Sequence, residues 1–383
     1  MSTAPATVED ADAGDVAAAL SDAPFVRIVA AADGDSLAAS GVLARALKTR
    51  GTPFQVRVDA VPDPIPGEDD DVVLGIGAGA DGGDLSIAGA TSASLVAATA
   101  ARELGANSNP TLALAGIASA GRPLDAGDAA SLLAEAREGA AVDRRPGLAV
   151  PTTDLSEGLA HSTLVHAPVS GDPEAARAAL DDLAVGADPT DEDHRRVASW
   201  LAIEATASTT RAAEAVERVL RPHATPDGRF ATVEGFADVL DAVARERPGT
   251  GVAIAIRDGG MRSAALDAWR THARAAHRAL ADATTGRYDG VFVARVDSAP
   301  PGRLGTVARL CRDFRSPEPV ALVVGDDGAA AQSVDSARLG DAMREAVRAV
   351  DADGRSVGTG TRATARFENA EVSTFITAFR EAL

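Results

Sequence analysis

The chain has 383 residues, 46% of them hydrophobic, enough for two domains with sizeable cores. Its 56 acidic against 37 basic residues give a net charge of −19, Lys48 is the sole lysine, and aromatic residues make up 3%. The hydrophobic share excludes a globally disordered chain, and the charge balance fits a cytosol at molar salt, where charge repulsion is screened within about 3 Å. The single cysteine, Cys311, excludes a disulfide framework and a thiolate metal cluster.

Residues 1–22 read as a loose acidic tail or a short helix. They lack the positive start and apolar run of a signal peptide, and no stretch is apolar enough to span a bilayer, so a cytoplasmic protein without membrane attachment is expected. Phe25 to Ala30 is a strand-like run, Ser36 to Arg50 has helical spacing with Gly51 at its end, and Phe54 to Val58 is a second strand. Asp59 to Asp71 is a Pro- and Asp-rich loop, and Val72 to Ile76 a third strand. Ser92 to Leu104 predicts a helix, and Leu112 to Ile117 a short buried strand. The alternation argues for a parallel sheet covered by helices.

Asp125 to Arg221 is mostly helical, and Asp191 to Arg221 is its longest helix candidate, suited to a connector over 191–225. Beyond it, Val252 to Ile256, Gly290 to Ala294 and Val320 to Val324 predict strands. Met261 to Ala283 and Ser333 to Val350 predict helices, and the end reads as strand Ala363 to Phe367 then helix Val372 to Leu383. The resulting fold class is α/β: a parallel-sheet domain over 23–190, a helical connector, and a smaller α/β domain over 226–383.

The opening strand-turn-helix, Val26-Arg27-Ile28-Val29-Ala30-Ala31-Ala32-Asp33-Gly34-Asp35-Ser36, resembles the first motif of the DHH phosphoesterase family, the RecJ-like and archaeal GINS-associated nuclease group. That motif is a strand followed by His-x-Asp-x-Asp-Gly and a helix. The resemblance implies ligands for two Mn²⁺ or Mg²⁺ ions about 3.5–4 Å apart, which activate water against a phosphodiester. It also implies a DHH-like domain at 23–190 and a DHH-associated domain at 226–383. Residue by residue the match is partial. Val29 stands at the histidine position and Ala31 at the first aspartate. Asp33 is kept, and Asp35 is an additional carboxylate.

After the third strand, Gly75-Ile76-Gly77-Ala78-Gly79 offers no carboxylate until Asp81. The Asp-His-His segment is matched by Gly83-Asp84-Leu85-Ser86-Ile87-Ala88-Gly89-Ala90, and no histidine precedes His161. The last ligand position is Ser119, in Ala115-Gly116-Ile117-Ala118-Ser119. The Gly-Gly-His motif of the second domain is matched by Val357 to Phe367, which keeps Gly358 and Gly360 beside Arg362 but has no histidine. Candidate metal ligands are therefore Asp33, Asp81 and Asp84, with Asp33 and Asp35 the remnant of the catalytic motif.

Simpler readings stand beside these. Asp33-Gly34-Asp35-Ser36 is also a turn and N-cap pattern. The glycines from Gly75 to Gly83 suit either a backbone phosphate cradle or a plain connection. His161 and His166 lack an acidic partner at metal-site spacing. Arg309, Arg312 and Arg315 form a candidate phosphate-binding cluster, or a solvated face countered by Asp313. Trp200 and Trp269 fit core positions.

The resemblance implies a catalytically degenerate RecJ-like protein that binds single-stranded DNA or RNA, or scaffolds GINS-type partners, in replication or repair. The alternatives are an active Mn²⁺- or Mg²⁺-dependent single-strand exonuclease and a phosphate or nucleotide binder without turnover. In the first reading no cofactor is required.

Overall fold

A computed structural model describes residues 10–62, 70–80, 83–88, 91–206, 209–257, 259–297, 300–351, 353–368 and 370–383. The chain forms two compact units, Met1–Val142 with Val239–Leu266, and Asp143–Asp238 with Asp267–Leu383. The first stretch carries α1 (Ala13–Ser21), β1 (Val26–Ala31), α2 (Gly34–Arg50), β2 (Phe54–Asp59), β3 (Val72–Ile76), β4 (Leu85–Ile87), α3 (Ala93–Glu103), α4 (Pro110–Ser119) and α5 (Gly127–Glu138). Next come β5 (Asp143–Arg144), α6 (Leu155–His161), α7 (Pro173–Asp182), α8 (Asp191–Thr206), α9 (Thr210–Glu217), β6 (His223–Ala224), α10 (Val233–Glu246), α11 (Pro248–Ile256) and α12 (Arg262–Asp282). The remainder is β7 (Thr284–Tyr288), β8 (Val291–Arg295), α13 (Pro301–Phe314), β9 (Val320–Val324), β10 (Gly328–Ser333), α14 (Leu339–Val350), β11 (Arg355–Gly358), β12 (Arg362–Arg366) and α15 (Val372–Ala382).

The first unit is built on a four-stranded parallel sheet in the order β2-β1-β3-β4. Its inner strand β1 is apolar apart from Arg27 and almost wholly buried, as a strand covered on both faces must be. Two expected strands of this unit are helices. Leu112 to Ile117 lies inside α4, which starts at Pro110, and the Asn109 side chain accepts from Leu112 N–H. Val252 to Ile256 is the second half of α11, which also opens on a proline at its first turn. In both, a continuous apolar run carries no periodicity to separate helix from strand. The deciding signal is the proline, whose fixed φ and missing N–H suit a helix start.

The second unit holds a six-stranded sheet in the order β11-β12-β10-β9-β8-β7, antiparallel except for the β8–β9 pair that α13 connects. Alternation along β9 divides its core. Ala321 and Val323 pack with Cys311 and Phe314 of α13 on one face, while Val320, Leu322 and Val324 join Met343, Phe375 and Phe379 of α14 and α15 on the other. The expected single helix from Asp191 to Arg221 is two described helices, α8 and α9, with residues 207 and 208 outside the described set. The expected helix from Ser333 begins at Leu339, since Ser333 still pairs with Val320 in the sheet.

A buried polar network holds the segment after α6 in this unit. The Asp238 carboxylate accepts from Thr163 N–H (3.0 Å), the Thr163 hydroxyl and Trp269 Nε1–H (2.7 Å). Arg309 donates to the Thr163 carbonyl (3.0 Å) and hydroxyl oxygen (3.1 Å). Burial pushes the Asp238 carboxyl up, against the pull of these donors.

Beside it, His277 Nε2–H donates to the Ser162 carbonyl at 3.0 Å, which leaves His277 Nδ1 to accept from His166 Nδ1–H at 3.1 Å. A second proton on His277 would set two donors face to face. Burial lowers His277 to about 3 and His166 to about 4.

The unfolded chain takes these protons near pH 6.5, so the pair's contribution to stability is complete above that value and declines as pH falls towards 4. Asp35 and Asp238, both shifted upward, act in the opposite direction, so the pair is best read by difference. Between about pH 6.5 and 4.5 the wild type should lose roughly 2–3 kcal/mol more than a His277→Gln variant, measured by urea unfolding. Parallel pH profiles for the two proteins would contradict the neutral pair.

Candidate functional site

The open end of the parallel sheet, where β1 gives way to α2, is the place where a fold of this kind positions a ligand. Val29 and Ala31 are buried there and offer no donor atoms to an ion. Asp33 is the N-cap of α2, with Oδ1 accepting from Ser36 N–H at 2.8 Å. Asp35, in the first turn, is buried and accepts from the Ser92 hydroxyl (2.7 Å), Ala93 N–H (2.8 Å) and Ser94 N–H (2.9 Å). It thereby serves the N-terminus of α3. Burial and the neighbouring Asp33 charge push its carboxyl up, while the serine donors pull it down.

Asp84 is engaged on the sheet, where its carboxylate accepts from Val73 N–H at 2.8 Å. Asp81 lies outside the described residues. The glycine loop after β3 folds onto the same corner. Gly77 has φ +88° and donates to the Ile87 carbonyl, and a Cβ there would stand 2.2 Å from Ser36 Oγ. That N–H is thus turned to β4.

Ser119 does arrive at this corner, although its element is the helix α4. A Cβ on Gly34 would sit 2.4 Å from Ser119 Oγ, so only glycine admits this approach. The residue between them was not expected from sequence. Asp241 of α10 places Oδ1 2.7 Å from Gly34 N, 3.0 Å from Ser119 Oγ and 2.9 Å from Nη1 of Arg245. Asp241 and Arg245 stand one helical turn apart, and nothing in that spacing points to Gly34.

The DHH resemblance implies ligands for two divalent cations, and the residues present do not fit a pair of them. Asp33, Asp35 and Asp84 each satisfy backbone N–H groups, and Asp241 is neutralised by an arginine. Among the described residues no group of three or more His, Cys, Asp or Glu is arranged to hold a metal ion.

The candidate phosphate-binding residues lie in the second unit. Arg309 faces inward to Thr163. Arg312 donates to Asp313 at 2.7 Å and reaches Gln332 and the Ser333 carbonyl at 3.4 Å. Arg315, just past α13, is exposed, and its charge acts on His166 and Cys311.

Gly358 and Gly360 bracket the turn between β11 and β12. The carbonyls of Thr359 and Gly360 accept from Gly340 N–H and Ala337 N–H at 2.9 and 2.8 Å, so this turn caps α14. Arg362 opens β12 and pairs with Gln332. His161 donates through Nδ1 to the Glu157 carbonyl and tilts against Trp269 at 5.5 Å, and Trp269 is fully buried.

Comparisons with known proteins agree with this fold. A family model described as "Uncharacterized protein rrnAC1427, C-terminal domain" matches residues 283–381. The protein rrnAC1427 of Haloarcula marismortui is 50% identical over 374 residues, covering 97% of this chain and 96% of the relative. Among solved structures, RecJ of Thermus thermophilus in complex with Mn²⁺ aligns with TM-score 0.52 and 16% identity, over 98% of this chain and 55% of RecJ. The chain thus spans about half the length of that RecJ. CDC45 of Entamoeba histolytica aligns with TM-score 0.61 and 8% identity, over 96% of this chain and 97% of CDC45. The chain belongs to the family of Haloarcula marismortui rrnAC1427 and carries the RecJ-like DHH fold.

Proposed function

We propose that this chain is a catalytically degenerate RecJ-like DHH protein that binds single-stranded nucleic acid or scaffolds replication or repair proteins of the GINS type in a halophilic archaeal cytosol. The observation that carries this reading is the convergence of Gly34, Ser119 and Arg245 on the Asp241 carboxylate, at the corner where the fold's relatives would hold metal. A nucleophilic water needs a cation held by several ligands with a position left open, and among the described residues no group of three or more His, Cys, Asp or Glu is gathered to hold one. The whole-length fold likeness to CDC45 and the 50% identity to a Haloarcula protein support the rest of the reading.

With Mn²⁺ or Mg²⁺ at molar KCl, the protein should not shorten 5′-labelled single-stranded DNA or RNA, while fluorescence anisotropy should show it retaining the labelled strand. Metal-dependent digestion that disappears in Asp33→Ala would establish the exonuclease reading instead. Asp35→Ala strands three buried donors at α3 and should destabilise the protein by about 2–4 kcal/mol in urea unfolding, with Asp35→Asn losing less. A loss below about 1 kcal/mol would show that Asp35 is not the cap of α3.

A further inference from the structure

The Asp241 corner has an electrostatic consequence that goes beyond the proposed function. Both side chains of the Asp241–Arg245 pair are mostly shielded, at 16% and 15% exposure, so their attraction is weakly screened even at high salt. Arg245 Nη1 also donates to the Asp241 carbonyl at 2.7 Å, which fixes the guanidinium in place. The carboxylate it neutralises lies on the α2 N-terminus beside Asp33 and against Ser119, two positions that the DHH resemblance assigns to ligands of the divalent ions. A guanidinium keeps its proton at every physiological pH and cannot dissociate from the chain.

We infer that the guanidinium of Arg245 replaces the divalent cation at this corner. It supplies the positive charge that lets Gly34, Ser119 and Asp241 close on one another, and it makes the first unit independent of metal. Arg245 is a positioning residue, acting through Asp241.

The test reads thermal unfolding of the full chain at molar KCl, in EDTA or with MnCl₂. The wild-type midpoint should be the same in both. Arg245→Ala should unfold several degrees lower in EDTA, and Mn²⁺ should restore at least half of that loss by neutralising Asp241. The double variant Asp241→Asn, Arg245→Ala should show neither the full loss nor the response to Mn²⁺, which separates the corner from ions held by the acidic surface. A wild type that Mn²⁺ stabilises as much as it stabilises Arg245→Ala, or an Arg245→Ala protein indifferent to Mn²⁺, overturns the inference. If Arg245→Ala does not fold, Arg245→Lys decides. A midpoint near wild type without Mn²⁺ supports the replacement, and a requirement for Mn²⁺ rejects it.

Discussion

The first unit depends on how the unsatisfied N–H groups at the starts of α2 and α3 are met. A helix N-terminus presents free donors and partial positive charge, which in a phosphoesterase can serve phosphate or orient carboxylate ligands. Here the chain's own carboxylates meet that demand. Asp33 takes the Ser36 N–H, Asp35 takes those of Ala93 and Ser94, and Asp241 takes that of Gly34. With these bonds made, the carboxylates join the starts of α2 and α3 to their neighbours by hydrogen bonds within the chain.

Much of this fold was legible in the sequence because buried parallel strands and their flanking helices carry strong patterns. β1, β2 and β3 were readable from short apolar runs bounded by turn residues, and α2 from its spacing and Gly51. α4 and α11 were misread because their apolar runs are continuous in sequence and carry no polar stripe, and in α4 every residue from Leu112 to Ile117 is buried. The Asn109-Pro110 and Arg247-Pro248 pairs held the answer, in backbone chemistry and not in hydropathy.

The site was legible only in part, for a different physical reason. Asp33 could be recognised as a cap from its local pattern, since its partner is three residues away. Asp35 reads as a spare carboxylate until α3 is brought to it, 57 residues on. Asp241 reaches Gly34 across 207 residues of sequence, and no periodicity encodes such a meeting. The same holds for Arg309, which reads as part of a basic cluster but is drawn to a carbonyl 146 residues earlier. Charge patterns report residue types, and the fold decides whether a charge faces water or a buried acceptor.

The division of the chain gives that long separation a temporal meaning. The first unit is made of Met1–Val142 together with Val239–Leu266, so it is interrupted by a long stretch of the second. A ribosome adding about 5–20 residues per second brings Asp241 out only tens of seconds after Gly34. Until then Gly34 N–H and the Ser119 hydroxyl lack the acceptor they have in the finished fold. The molecule therefore cannot mature in strict order from its amino end. Its first unit is completed only when Val239–Leu266 has been made.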